Sequence, residues 1–352
     1  MSINKVAELA GVSTSTVSRV INNHPRVAPE TVVSVRKAMK ELGYTPSDRR
    51  PGPKPSARNK LTTANIAFLV FGTRPDHATP AFTELLYGVS TAASQFDLNL
   101  VFSHVPDPEE LPNRVMSKRV DGMLLHGARP SAGVRDRLAG IPTVWLMGNR
   151  RRPEWGDQVM PDGYTIGELA ARHLLRQGHE KLAFLNLDSG HWPFRVYGHA
   201  FSVTAADEGG QVIAIEDSAP QVGPEYWPKH RMDAVERLVS RYLDLDDRPT
   251  GLFVADDTQV AMIQPALQAR GVTLGPGSVE IVSCNNERPY IVGLSPRPAE
   301  IDIRAASIGR RGVEQLLWRL EHPELTERVV STVEPKLVLP ESVEAAAAAT
   351  HG

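Results

Sequence analysis

A single cysteine, Cys284, occurs in the 352 residues. A disulfide framework is therefore excluded, and a reducing compartment is the natural setting. No apolar run approaches bilayer-spanning length, and the amino terminus carries no signal-peptide pattern, so the expectation is a soluble cytoplasmic chain without a membrane partner. Phosphate-cradling turns are also missing. The apolar segment at 66–71 leads into Gly72-Thr73-Arg74-Pro75, which is neither Gly-x-Gly-x-x-Gly nor Gly-x-x-x-x-Gly-Lys-Ser/Thr. His24, His77, His104, His126, His173, His179 and His191 are scattered, and no His/Cys cluster has metal-ligand spacing. These absences lead us to expect no cofactor, no metal and no enzyme.

What the chain does have is an uneven charge. Residues 1–60 hold 11 Lys and Arg against 4 Asp and Glu, a net +7, while the rest carries a net −9. A basic head on an acidic body suits an anionic polymer bound at one end only. Within that head, Val6, Leu9 and Ala10 precede Gly11-Val12-Ser13, and Val17, Val20 and Ile21 follow, all at helical spacing. The pattern predicts two short helices around a tight turn, with Gly11 ending the first and Ser13 capping the second. Outside the apolar stripe the second helix shows Thr14, Ser15, Thr16, Ser18, Arg19 and Asn22. Short hydroxyl and amide groups with one arginine suit base edges in a major groove, although a helical hairpin with a solvated polar face has the same spacing.

The stretch Ala10-Gly11-Val12-Ser13-Thr14-Ser15-Thr16-Val17-Ser18-Arg19-Val20, with Val27, Thr31, Val35 and Leu42-Gly43-Tyr44-Thr45-Pro46 after it, closely resembles the head of the LacI/GalR family of bacterial transcription regulators. The resemblance continues more weakly to about residue 338. It implies a helix-turn-helix head over 1–46, with Thr31 and Tyr44 also at DNA, and a two-lobed α/β body like periplasmic binding proteins. It further implies a homodimer reading a palindromic double-stranded operator under control of a small effector. Two head positions depart from the family: Lys5 where an acid is common, and Ala28 where a serine cap is expected. Pro29 and Glu30 still suit a helix start.

Residues 47–63 form a basic linker in which Pro51, Pro53 and Pro55 forbid a regular helix. One reading is a stiff charged spacer. The one we favour is a cationic arm whose Lys54 and Arg58 meet phosphates or a minor groove. Family members place here a hinge helix with an intercalating leucine. No leucine lies between Leu42 and Leu61, so that wedge is not expected.

From residue 64 to 340, short apolar runs (66–71, 98–102, 122–125, 143–147, 182–187, 212–215, 252–255, 280–283) alternate with helical patterns (82–95, 164–177, 194–206, 232–243, 258–270, 308–320). This is the rhythm of parallel sheets covered on both faces. We expect lobe one over about 64–160 and lobe two over about 161–290. Crossovers are expected near 290–305 and 325–340, and a frayed tail over 341–352. Ligands of such folds sit beyond the carboxyl ends of the strands. By resemblance, Phe82, Arg195 (in Arg195-x-x-Gly198) and Asp257 face the effector, with Asp256 standing where the family has asparagine. From residue type alone, one aspartate of the pair serves to cap a helix. Trp192 suits either stacking on a sugar face or packing, and Phe82 is equally suited to the core. An extracytoplasmic solute-binding protein shares such a body but would not carry this head.

Overall fold

The computed structural model describes residues 3–21, 28–42, 61–72, 79–105, 111, 120–148, 155–217 and 229–340. The chain divides into two compact units, Met1–Pro55 and Ser56–Gly352.

In the first unit, α1 (Ile3–Ala10), α2 (Thr14–Ile21) and α3 (Pro29–Glu41) close around Val6, Ala7, Val17, Val20, Val35 and Ala38. Gly11 turns the chain at φ +64°, where a side chain would be strained. Ser13 Oγ accepts the Thr16 amide at 3.2 Å and so caps α2. Ala28 offers no side-chain cap to α3, yet Pro29 and Glu30 begin the helix as their types allow.

The second unit contains two six-stranded sheets. Lobe one is built from β1 (Asn65–Phe71), α4 (Pro80–Gln95), β2 (Asn99–Val105), β3 (Gly122–Gly127), α5 (Ala132–Leu138), β4 (Thr143–Leu146) and β5 (Asp157–Pro161). Lobe two follows with α6 (Gly163–Arg176), β6 (Lys181–Asn186), α7 (Trp192–Asp207), β7 (Gln211–Glu216), α8 (Lys229–Leu243), β8 (Gly251–Val254), α9 (Asp257–Ala269), β9 (Glu280–Cys284), α10 (Arg288–Ile291) and β10 (Ala299–Asp302). The chain then returns to lobe one with α11 (Ala305–Glu321) and β11 (Val330–Val333), and ends in lobe two with β12 (Lys336–Val338). Strand order is β11-β5-β4-β3-β1-β2 in one sheet and β12-β10-β9-β8-β6-β7 in the other. Among the described residues, all strand pairings are parallel except β10 with β12. Among the described residues no helix is long and apolar enough to cross a membrane.

Central strands are buried on both faces and read as unbroken apolar runs, β1 being Asn-Ile-Ala-Phe-Leu-Val-Phe with six buried positions. Each lobe also packs one helix pair through glycine. A Cβ on Gly88 of α4 would lie 2.0 Å from the Ala306 carbonyl oxygen, and one on Gly309 of α11 would lie 2.2 Å from that of Leu85. In lobe two a Cβ on Gly167 would lie 2.4 Å from the Tyr197 carbonyl oxygen. Lobe one's return segment is pinned by Asp157, whose carboxylate takes Arg319 Nη2 at 2.7 Å, Arg319 Nε at 3.0 Å, Gln315 Nε2 at 2.8 Å and the Val329 amide at 2.9 Å.

Candidate functional site

Of the polar face expected on α2, Thr14 and Thr16 have described side chains. Val17 and Val20 are buried in the three-helix core, which leaves Ser13 and Thr14 exposed and Thr16 half-buried at the start of α2. Ser13 and Thr16 hydroxyls pair at 2.9 Å, so this turn is preorganised before it meets a ligand. Thr31 is half-buried in the first turn of α3. Ser15 and Arg19 lie on α2, but their side chains are outside the described set. Asn22, Tyr44, Lys54 and Arg58 lie outside the described residues altogether.

In the body, strand order reverses between β1 and β3 in lobe one and between β6 and β8 in lobe two. Connections leave such a switch point in opposite directions, and the crevice this opens lies beyond the carboxyl ends of the strands. At the carboxyl end of lobe one's sheet, Phe82 lies in the first turn of α4, packed against the core, and His126 lies near the end of β3. Their rings are 5.4 Å apart, and Phe82 also lies 6.2 Å from Phe68. His126 Nδ1 is 3.0 Å from the Leu146 carbonyl oxygen. That oxygen only accepts, so Nδ1 carries the hydrogen and Nε2 is left as an acceptor. Burial pushes the His126 pKa down, which keeps the ring neutral.

At the carboxyl end of lobe two's sheet lie Asp188 after β6, His191 and Trp192 at the start of α7, and Asp256 after β8. Arg195 is exposed, with its guanidinium 5.6 Å from the centre of the Trp192 ring, in cation–π range. Gly198 of the Arg-x-x-Gly spacing has a structural reason: a Cβ there would lie 2.5 Å from the Phe184 ring. His191 packs against Phe194 at 4.3 Å, and burial lowers its pKa against the opposing pull of Asp188 and Asp256. Asp256 caps α9, accepting the Gln259 amide at 2.8 Å and the Thr258 hydroxyl at 2.6 Å.

The two aspartates of the pair differ in their surroundings. Asp257 is fully buried, and its two oxygens accept the Ser283 hydroxyl and, at 2.5 Å, the Glu287 amide. Burial raises its pKa well above the usual carboxylate range, against the pull of those bonds. These bonds occupy both oxygens and tie the start of α9 to the end of β9 and the turn after it. The neighbouring Asp256 is the residue whose charge reaches His191, Tyr197, Glu287 and Tyr290.

Asn285 and Asn286 turn after β9 with φ of +104° and +61°. Glu287 follows, 2% exposed, and its Oε1 accepts the Ala81 amide of α4 at 2.9 Å. That bond shows the carboxyl ends of both lobes meeting. Glu287 and His126 were missed in the sequence because each is defined by partners far away in the chain.

Fold and site together define a DNA-binding head joined to a two-lobed ligand-binding body. Residues 2–47 match the model for bacterial regulatory proteins of the lacI family, and residues 171–343 match that for a periplasmic binding protein-like domain. The chain is 27% identical over 352 residues to the HTH-type transcriptional repressor PurR of Mannheimia succiniciproducens, covering 97% of this chain and 98% of that one. Among solved structures, the transcriptional regulator CelR in complex with cellobiose has a TM-score of 0.63 at 23% identity, covering 97% and 99% of the two chains. The lac repressor dimer bound to operator and the anti-inducer ONPF has a TM-score of 0.61 at 19% identity, covering 96% and 98%. The chain belongs to the LacI/GalR family of transcription regulators; it is a DNA-binding regulator and not an enzyme.

Proposed function

We propose that this regulator is a repressor whose operator affinity is set by a small hydroxylated metabolite, a sugar or a related polar compound, held between the lobes. The observation that carries the reading is the Ala81–Glu287 bond, which brings the carboxyl ends of both sheets together over the two switch points. On one side stand Phe82 and the Nε2 acceptor of His126; on the other stand Trp192, Arg195, Asp188 and Asp256. Flat rings with a guanidinium and carboxylates match a polyol, which offers apolar ring faces and hydroxyls that both donate and accept. The cellobiose held by a protein of the same fold supports this class of ligand. Asp257 serves the cleft through its anchoring bonds.

At the other end, Ser13, Thr14, Ser15, Thr16, Arg19 and Asn22 read the operator, while Thr31, Tyr44, Lys54 and Arg58 hold the DNA backbone or minor groove. A homodimer supplies two heads for a palindromic site, since one short head offers little contact area. Linkage then requires that effector and operator bias the same equilibrium of lobe closure.

A thermal-shift screen of sugars and nucleobases on the full chain, followed by operator binding with each hit, tests the effector assignment. A sugar should raise the melting temperature and change operator affinity, and both effects should be lost in Arg195→Ala. If only nucleobases act, the polyol class is wrong; unchanged affinity of the hit in Arg195→Ala removes Arg195 from the effector site. For the head, Arg19→Ala should cost about 1–3 kcal/mol on the matched operator and less on scrambled DNA. Equal weakening on both would make Arg19 a phosphate contact.

A further inference from the structure

We infer that Glu287 is the positioning residue of the interlobe cleft: a carboxylate from lobe two that caps the first turn of α4 in lobe one and so couples the lobes before any effector arrives.

The first turn of a helix has amide hydrogens with no partner inside the helix. In α4, Pro80 lacks one, Thr79 Oγ1 accepts the Phe82 amide at 3.3 Å, and the Ala81 amide goes to Glu287 Oε1 at 2.9 Å. The Thr79 hydroxyl bonds the same carboxylate, and Asn285 Nδ2 lies 3.4 Å from its Oε2. One carboxylate thus finishes the cap of a helix 206 positions away in sequence. Negative charge at a helix amino terminus is favourable in its own right.

How Glu287 is held shows that the contact is built. The backbone strain at Asn285 and Asn286 reverses the chain directly after β9, and a third left-handed residue, Arg304 at φ +57°, lies beside them on the wall of one cavity of about 870 Å³. Non-glycine residues in this region cost about 1–3 kcal/mol each and persist where the surroundings enforce them. The Glu287 amide is enforced by Asp257, itself fixed by Ser283 of β9. The path runs from β9 through Ser283, Asp257 and Glu287 to Ala81, whose neighbours Pro80 and Thr83 line the same cavity. A buried carboxylate with designed partners resists displacement, because opening the lobes strips it of the Ala81 and Thr79 bonds together.

Because the coupling needs no effector, it is testable whether or not the polyol reading holds. Hydrogen exchange on the full-length protein without ligand, comparing wild type with Glu287→Ala and the isosteric Glu287→Gln, reads the cap directly. Glu287→Ala should speed exchange at Ala81 and Phe82 by about tenfold or more while β1 and β8 keep their protection. Glu287→Gln, which keeps an acceptor oxygen, should restore most of that protection. Operator affinity without effector should shift by about fivefold or more in Glu287→Ala. The inference is overturned if the first turn of α4 stays as protected as in wild type. It is also overturned if protection is lost equally in β1 and β8, or if operator affinity is unchanged. Failure of the exchange arm refutes the Glu287 cap, whereas failure of the sugar screen alone refutes only the effector class.

Discussion

Replacing Asp157 with alanine should be among the most damaging changes in the body. This carboxylate is 2% exposed and accepts four hydrogen bonds, two from Arg319, one from Gln315 and one from the Val329 amide. Each donor comes from the segment that returns to lobe one after leaving lobe two. Truncation strands the Arg319 guanidinium, whose side chain is 13% exposed, with no carboxylate to offset its lost hydration. Removing one partner of a buried pair costs about 3–5 kcal/mol, and the abandoned Gln315 and Val329 donors keep the estimate at the upper end. Urea unfolding of the full chain, followed by far-ultraviolet circular dichroism, measures it through the midpoint at constant m. Asp157→Leu combined with Arg319→Met should recover much of the loss, because the cost lies in the unpaired charge. A loss below about 1 kcal/mol for Asp157→Ala, or a double variant as unstable as the two singles summed, would refute the reasoning.

Glu300 on β10 is 3% exposed, and burial raises its pKa to about 7 from 4.5, against the pull of Arg297 and Arg288. The folded state therefore keeps a proton the unfolded chain has lost, so stability is fullest below pH 4.5 and falls as pH rises towards 7, by about 3 kcal/mol from this group. Glu300→Gln should flatten that part of the stability profile, and an unchanged slope would show that the carboxyl is already charged. Gly88→Val should unfold lobe one by several kcal/mol in chemical denaturation, because its side chain would enter the α11 backbone rather than a movable side chain; a loss below about 1 kcal/mol would mean that the helices separate freely. Neutralising Lys54 and Arg58 together should lower the slope of log affinity against log salt by about 1 per lost phosphate contact. An unchanged slope in fluorescence-anisotropy titrations would make residues 47–63 a spacer.

The strands at the centre of each sheet were legible because burial on both faces writes them as apolar runs, as in β1, β6 and β8. The strand next to one edge of lobe one was not. β5 reads Asp-Gln-Val-Met-Pro, and its leading Asp157 is buried only because α11 brings Arg319 and Gln315 to it. Helix α5 spans seven residues with two arginines, too short and polar for periodicity to show. The aspartate pair illustrates a different limit. Successive residues at a helix start point about 100° apart, so sequence could place a carboxylate at the end of β8 but not choose between Asp256 and Asp257. Glu287 had no local signal, since its partner Ala81 is an ordinary alanine whose amide alone matters.

The return of the chain to lobe one through α11 and β11 has a consequence for synthesis. When the ribosome has finished β5, lobe one still has an open sheet edge, and α4 carries a glycine-lined groove with nothing in it. Both wait for residues 305–333, which are made only after most of lobe two. An open edge and a bare apolar helix face are the features that invite wrong pairing in nascent chains. Lobe two, by contrast, needs only the three residues of β12 once β10 is made. The order of maturation therefore inverts the order of translation. The lobe that begins first is completed by a segment from the far end, and a chain truncated before residue 305 should yield a folded second lobe beside an unfinished first one.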